Sequence, residues 1–220
     1  MVATVTRAED LTFLSGSGTV AADLLEYRLD DLFSHLDEVA QCISSKETRP
    51  SLVTVRTPDE GGANRLSLND RIATYRQFFL SSDLVDTEIT SLETPEFSDF
   101  ISEAHSQSTL VLASYHNFQE WPGRSLLEGK IDRAYELGAD IPKLAVVVES
   151  MTQLFDLVQL VEKYRSEGKL ISAMGMGTLG KLSRLTLARA GSCLNYGYLQ
   201  TENAPGQWSA AELRKLIDAI

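Results

Sequence analysis

Lys143 offers more chemistry than any other residue in this sequence. It stands in Asp140-Ile141-Pro142-Lys143-Leu144-Ala145-Val146-Val147-Val148, a strand otherwise apolar enough to be buried. Two roles fit it. At the strand's lower edge its ammonium would simply snorkel to water. In a poorly solvated pocket the charged form is disfavoured, and the neutral amine can attack a ketone to give an imine. Such chemistry needs a base. His116 follows the apolar run Thr109-Leu110-Val111-Leu112-Ala113-Ser114-Tyr115, at a strand end. A lone histidine there is either a hydrogen-bonded structural residue or a proton carrier, and Glu60 is its candidate partner. His35 and His105 lie in helical segments of mixed polarity and are expected at the surface.

Further polar groups cluster at other strand ends. Arg56 and Glu60 share Thr54-Val55-Arg56-Thr57-Pro58-Asp59-Glu60-Gly61-Gly62, where the paired glycines permit a tight loop; an acidic surface turn is the alternative. Glu26 and Arg28 share one strand, as an internal ion pair or as substrate contacts. Gly175, Gly177 and Gly180 spell GxGxxG, but the dinucleotide fingerprint belongs in the first strand-helix-strand unit, and here it falls in the seventh. Those small residues are instead expected to bring the backbone close to a ligand, with Arg184 as an anion clamp. The string Asn203-Ala204-Pro205-Gly206-Gln207 is a rigid turn that could present Gln207 to a hydroxyl, although Pro-Gly alone marks only a turn.

The elements that must position these groups alternate. Apolar runs rich in β-branched residues recur at about 2 to 6, 24 to 29, 51 to 57, 84 to 89, 109 to 115, 142 to 148, 170 to 175 and 192 to 196. Helical spacing lies between them, as in Leu68, Ile72, Tyr75, Phe79 and in Met151, Leu154, Phe155, Val158, Val161, with Ser67 and Ser209 as candidate N-caps. Eight strands alternating with helices predict a parallel sheet. Strand parity separates an open sheet from a closed one. Glu26, Arg28 and Asp30 share one face of their strand; Arg56 sides with Thr54, His116 with Ser114, and Lys143 with Ala145 and Val147. The opposite positions, Leu144, Val146, Val148, Val111 and Ala113, suit packing under helices. Polar faces on so many strands need one destination, which the interior of a (β/α)8 TIM barrel supplies.

At 220 residues the chain is long enough to complete such a barrel as one domain, residues 1 to 220, since barrels run to about 250 residues with a floor near 200. A formal charge of −11 without a basic cluster argues against nucleic acid and anionic membranes as partners, and places the work of holding an anion on individual arginines. Cys42 and Cys193 show no CxxC spacing and are expected as ordinary reduced thiols; neither a disulfide framework nor a metal site is expected. The first residues lack the pattern of a signal peptide, and no run approaches the ~18 apolar residues of a membrane span, so a cytoplasmic location is expected.

Taken in order along the chain, these strings resemble the type I 3-dehydroquinate dehydratase family, the Schiff-base 3-dehydroquinases. The matching strings are Glu26-Tyr27-Arg28-Leu29-Asp30; Arg56 with Glu60-Gly61-Gly62; Ser114-Tyr115-His116; Asp140-Ile141-Pro142-Lys143; Met174, Met176, Ser183 and Arg184; and Ala204-Pro205-Gly206-Gln207. The resemblance implies a hydro-lyase of the shikimate pathway that converts 3-dehydroquinate to 3-dehydroshikimate and water, without a cofactor, commonly as a homodimer. Lys143 would form the imine, His116 would move the protons and Glu60 would orient it. Arg184 would grip the substrate carboxylate; Glu26, Arg28, Arg56 and Gln207 would surround its hydroxyls, with Asn203 and Ala204 beside them. Met174, Met176 and Tyr196 would form apolar walls.

Three positions depart from the pattern. Asn203 stands where a serine is usual, Gln119-Glu120-Trp121-Pro122 replaces a Thr-Pro string, and Tyr196 replaces a phenylalanine. Two alternatives remain on the sequence: a lysine-imine aldolase on the same barrel, and a ligand-binding relative without turnover. A sugar-phosphate aldolase needs a phosphate site, and a non-catalytic relative has no need to keep Lys143, His116 and Glu60 together.

Overall fold

The computed structural model describes residues 1–16, 20–45, 49–63, 65–202 and 207–220. Strand and helix alternate throughout: β1 (Val2–Val5), α1 (Ala8–Ser15), β2 (Leu24–Arg28), α2 (Leu36–Ser45), β3 (Ser51–Thr54), α3 (Leu68–Phe78), β4 (Leu84–Glu88). The fourth unit is split by Pro95 into α4 (Ile89–Leu92) and α5 (Phe100–Ser106). Then follow β5 (Leu110–Asn117), α6 (Arg124–Glu136), β6 (Ile141–Val147), α7 (Met151–Ser166), β7 (Ser172–Met176), α8 (Gly180–Ala190), β8 (Tyr196–Tyr198) and α9 (Ala210–Asp218).

The strands run parallel in the order β7-β6-β5-β4-β3-β2-β1-β8. The β7/β8 seam is stitched by Cys193 N donating to the Ile171 carbonyl, Ala173 N to Ser192 Oγ, and Ser172 Oγ to the Leu194 carbonyl, each 2.9 Å. The result is a (β/α)8 TIM barrel.

Local sequence explains the helix starts. Ser67 accepts from Asp70 N at 3.1 Å and Ser209 from Glu212 N at 3.2 Å, as their N-cap positions predict, and Ser150 caps α7 in the same way. Each such cap contributes about 1 kcal/mol.

Two expectations shift. The last strand begins at Tyr196, because residues 192 to 195 form a turn, with Asn195 Nδ2 donating to the Ser192 carbonyl, while Cys193 and Leu194 pack inward. Helix α7 buries Leu154 and Val161 as expected, together with Leu157, Leu160 and Tyr164, but turns Met151 and Phe155 outward.

The helices pack over the outward strand faces. Leu144, Val146 and Val148 join one core cluster and Val111 and Ala113 another, as strand parity predicts. Inside, Val2, Leu24, Leu52, Leu84, Leu112 and Ile141 fill the lower end of the barrel. They form a dry floor, and every polar inward residue stands above it.

Candidate active site

Side chains two residues apart on a strand point the same way, so stepping up from the floor reads out the site. The first step reaches Glu26, Thr54, Asp86, Ser114 and Lys143; the second reaches Arg28, Arg56, Glu88, His116 and Ala145. Ladder register sets Thr54 beside Asp86 and Ser114 beside Lys143. Above them opens a cavity of about 360 Å3 at the C-terminal strand ends. Its size suits a small polar metabolite.

Lys143 is only 4% exposed. Its Nζ donates to Asp86 Oδ2 at 2.7 Å, lies 3.7 Å from Glu26 Oε1, and faces the Tyr196 ring with 4.3 Å to the centroid. The lysine therefore does not snorkel; its amine ends inside the cavity. Burial alone would raise the Asp86 carboxyl, but the charges of Arg56 and Lys143 outweigh it and hold Asp86 well below the usual carboxylate range.

Arg56 is clamped. Nη1 donates to Glu88 Oε1 at 3.1 Å and Ser114 Oγ at 2.5 Å, and Nη2 pairs with Asp86 Oδ2 at 2.9 Å. Glu88 also takes Arg71 Nη2 from α3 at 2.5 Å, so the network continues through the barrel wall. Arg28 makes a two-pronged contact with Asp30, at 3.0 and 2.7 Å, and reaches the Gly61 carbonyl. Glu26 accepts from Thr54 Oγ1 at 2.9 Å and does not pair with Arg28.

His116 and Glu60 meet as the sequence suggests. Glu60 Oε2 lies 2.9 Å from both the backbone N and the Nδ1 of His116. Gly61, at φ 87°, aims the turn, and a Cβ there would meet the Phe118 ring at 2.9 Å, so only glycine lets Phe118 lie over it. Phe118 also stacks on the His116 ring, 6.2 Å between centroids. Burial, and then the charges of Arg56 and Lys143, push the His116 imidazolium well below its ordinary pKa, so the ring is neutral at pH 7. Burial likewise pushes Glu60 up to about 7, with Arg56 opposing and Glu88 adding to the rise. Ionised Glu60 accepts the Nδ1 proton and leaves the Nε2 lone pair as the base.

The opposite wall is built by β7, α8 and β8. Met174, Met176 and Tyr196 line it, with Arg184 and Gln207. Arg184 is 4% exposed, donates to the Tyr196 carbonyl at 2.8 Å, and has no carboxylate within ion-pair distance among the described residues. Burial lowers its pKa to about 10, with the charge of Glu202 opposing, still far above neutrality, so a buried positive charge faces the cavity without a carboxylate in contact among the described residues. Among the described residues, three buried side-chain atoms lack a hydrogen-bond partner: Asp86 Oδ1, Arg184 Nε and Tyr196 Oη. All three belong to this site, where such groups concentrate for functional reasons.

Glu26, Arg28, Arg56, Glu60, His116, Lys143, Met174, Met176, Arg184, Tyr196 and Gln207 thus converge on one cavity. Asn203 and Ala204 lie outside the described residues. The glycines within and just after β7 make room for neighbouring side chains: a Cβ at Gly175 would strike Ser183 of α8, and one at Gly177 would strike Glu149. Trp121 packs against the helix core, away from the cavity lining. Sequence reasoning missed Asp86, Glu88 and Thr4. The signal for the first two was present, since Leu84, Asp86 and Glu88 share parity as the other strands' polar residues do.

Comparison with known proteins agrees along the whole chain. Residues 2–220 match the family model of type I 3-dehydroquinase. This chain belongs to the type I 3-dehydroquinase family. It is 30% identical over 218 residues to the 3-dehydroquinate dehydratase of Clostridium kluyveri, covering 94% of this chain and 85% of the relative. Identity to the 3-dehydroquinate dehydratase of Klebsiella pneumoniae is 32% over 212 residues, covering 90% and 83%. The solved 3-dehydroquinate dehydratase from Enterococcus faecalis superposes with a TM-score of 0.84 at 27% identity, covering 100% of this chain and 92% of that one. The family's barrel is therefore shared, with the cavity at its upper end.

Proposed function

We propose that this 3-dehydroquinase family member is a hydro-lyase that converts 3-dehydroquinate to 3-dehydroshikimate and water in the shikimate pathway, through an imine on Lys143. One observation carries the reading: a buried lysine amine, a neutral histidine held by a carboxylate, and an arginine with no carboxylate in contact among the described residues share a single cavity. An amine, a base and an anion clamp are what a carboxylated cyclic ketone requires.

The ammonium of Lys143 gives a proton to His116 and the freed amine adds to the C3 ketone; His116 returns that proton to the departing oxygen, which leaves as water to give an iminium. His116 Nε2 removes a proton from the adjacent carbon, and those electrons move onto nitrogen as an enamine. The enamine expels the hydroxyl one carbon further on, which takes the proton from His116 and departs as water. A second water hydrolyses the conjugated iminium, freeing product and Lys143. Arg184 holds the carboxylate. Glu26, Arg28, Arg56 and Gln207 surround the hydroxyls, Met174, Met176 and Tyr196 exclude water, and Asn203 and Ala204 are proposed as further substrate-binding residues.

On the same reading the barrel acts as one catalytic domain over residues 1 to 220, in the cytoplasm, as a homodimer that sedimentation would detect. Among the described residues no helix is long and apolar enough to cross a membrane. The direct test is to supply 3-dehydroquinate and follow the absorbance of the conjugated product. The expected outcome is turnover that Lys143→Ala abolishes; a wild-type protein that leaves the substrate unchanged would overturn the proposal.

A further inference from the structure

Asp86 is one of three groups in the site, with Glu88 and Thr4, whose roles the sequence did not suggest. It is fully buried, and one oxygen, Oδ2, holds both Lys143 Nζ at 2.7 Å and Arg56 at 2.9 Å, while Oδ1 has no partner among the described residues. Opposite it, the face of Tyr196 lies 4.3 Å from the same nitrogen. A carboxylate on one side and a π face on the other make a seat for a cation at Nζ.

We infer that Asp86 is a catalytic residue, the counter-ion of the iminium at Lys143, assisted by the ring face of Tyr196. The inference rests on the imine reading above. An imine draws electrons from the neighbouring carbon only while its nitrogen carries a proton, and a neutral imine is a poor sink. Asp86 stays ionised throughout the cycle: it accepts the N–H of the ammonium, then of the iminium, then of the enamine, and loses and gains no proton itself. Its second duty, holding Arg56, ties the seat to the network of Glu88 and Ser114. The other charged or titratable groups around this nitrogen are Glu26 from β2, Arg56 from β3, His116 from β5 and Tyr196 from β8.

The test compares wild type with Asp86→Asn, in borohydride trapping of the enzyme with 3-dehydroquinate across pH and in steady-state kinetics. Hydride attacks the protonated iminium, so the trapped fraction follows its protonation. The expected result is a trapping profile displaced to lower pH in Asp86→Asn and a kcat about 100-fold lower with little change in KM, the scale of removing one preorganised electrostatic contact. An Asp86→Asn protein with wild-type trapping and kcat would overturn the inference. Should that variant not fold by circular dichroism, Tyr196→Phe and Tyr196→Leu decide: Phe should keep the wild-type profile and Leu should shift it downward, whereas an unshifted Leu variant would overturn the seat. Wild type that is never trapped at any pH would instead overturn the imine itself.

Discussion

On the side of the cavity built by β2 to β5, each guanidinium answers a carboxylate: Arg28 to Asp30, Arg56 to Asp86 and Glu88, and Arg71 behind them to Glu88. On the side built by β7, α8 and β8, the contacts of Arg184 among the described residues are the Tyr196 carbonyl and a methionine sulfur, and the carboxylate that acts on it, Glu202, lies beyond ion-pair distance. Both sides are buried, so the difference is one of compensation rather than exposure. A charge already paired is preorganised and rigid, which suits groups that must hold Lys143 and the loop of Glu60 in place. A buried charge left without its counter-ion costs stability in the free protein and recovers that cost only when an anion arrives. The paired half is machinery, and the unpaired half is a receptor.

That contrast can be broken from either side. The largest effect is expected at the base: His116→Ala should lower kcat by about 10^3 to 10^4-fold while an imine can still be trapped, and wild-type turnover would refute its role. On the paired side, Arg71→Met leaves Glu88 with Arg56 as its one cationic partner among the described residues and removes the Arg71 hydrogen bonds to the Val55 carbonyl and Ser91. It should cost about 3–5 kcal/mol of stability, a fall in Tm of roughly 10 °C by thermal denaturation, with KM of the folded enzyme nearly unchanged. On the unpaired side, Arg184→Ala should leave Tm unchanged or raise it, and should raise KM by about 10 to 100-fold, the loss of a charged contact made with the ligand. If Arg184→Ala unfolds the barrel while KM holds, the division of labour is reversed.

Much of this division was legible before any coordinates. Parity alone sorted Glu26, Arg56, His116 and Lys143 onto one interior, because alternation on a strand is a geometric necessity. Leu84, Asp86 and Glu88 share the same parity on β4, yet Asp86 and Glu88 are not among the expected site residues. Of the two readings of Glu26 and Arg28, internal ion pair or substrate contacts, the ion pair does not form. Arg28 instead turns to Asp30, two residues further along its own strand run, and Glu26 takes Thr54 from the next strand. Neighbours across a ladder depend on register, which the chain does not spell out. The start of β8 was misplaced for a related reason: Cys193 and Leu194 are apolar but serve the turn that closes the seam, and only Tyr196 onward pairs with β1.

The smallest effect sharpens the comparison by pH. Glu60 titrates near 7, so as pH falls through that value it takes up a proton and loses its hold on the His116 Nδ1 proton. The logarithm of kcat/KM should therefore decline below about pH 7 in wild type, and Glu60→Gln should flatten that acid limb at a lower plateau. An acid limb unmoved by Glu60→Gln would assign it to another group.

The central claim is that Lys143 bonds covalently to the substrate. The protein should be incubated with 3-dehydroquinate, reduced with borohydride and digested, and the peptide containing Lys143 weighed. The expected result is a mass increase on Lys143 that requires both reagents and is absent from Lys143→Ala. An unmodified Lys143 in an enzyme that still dehydrates the substrate would contradict the account.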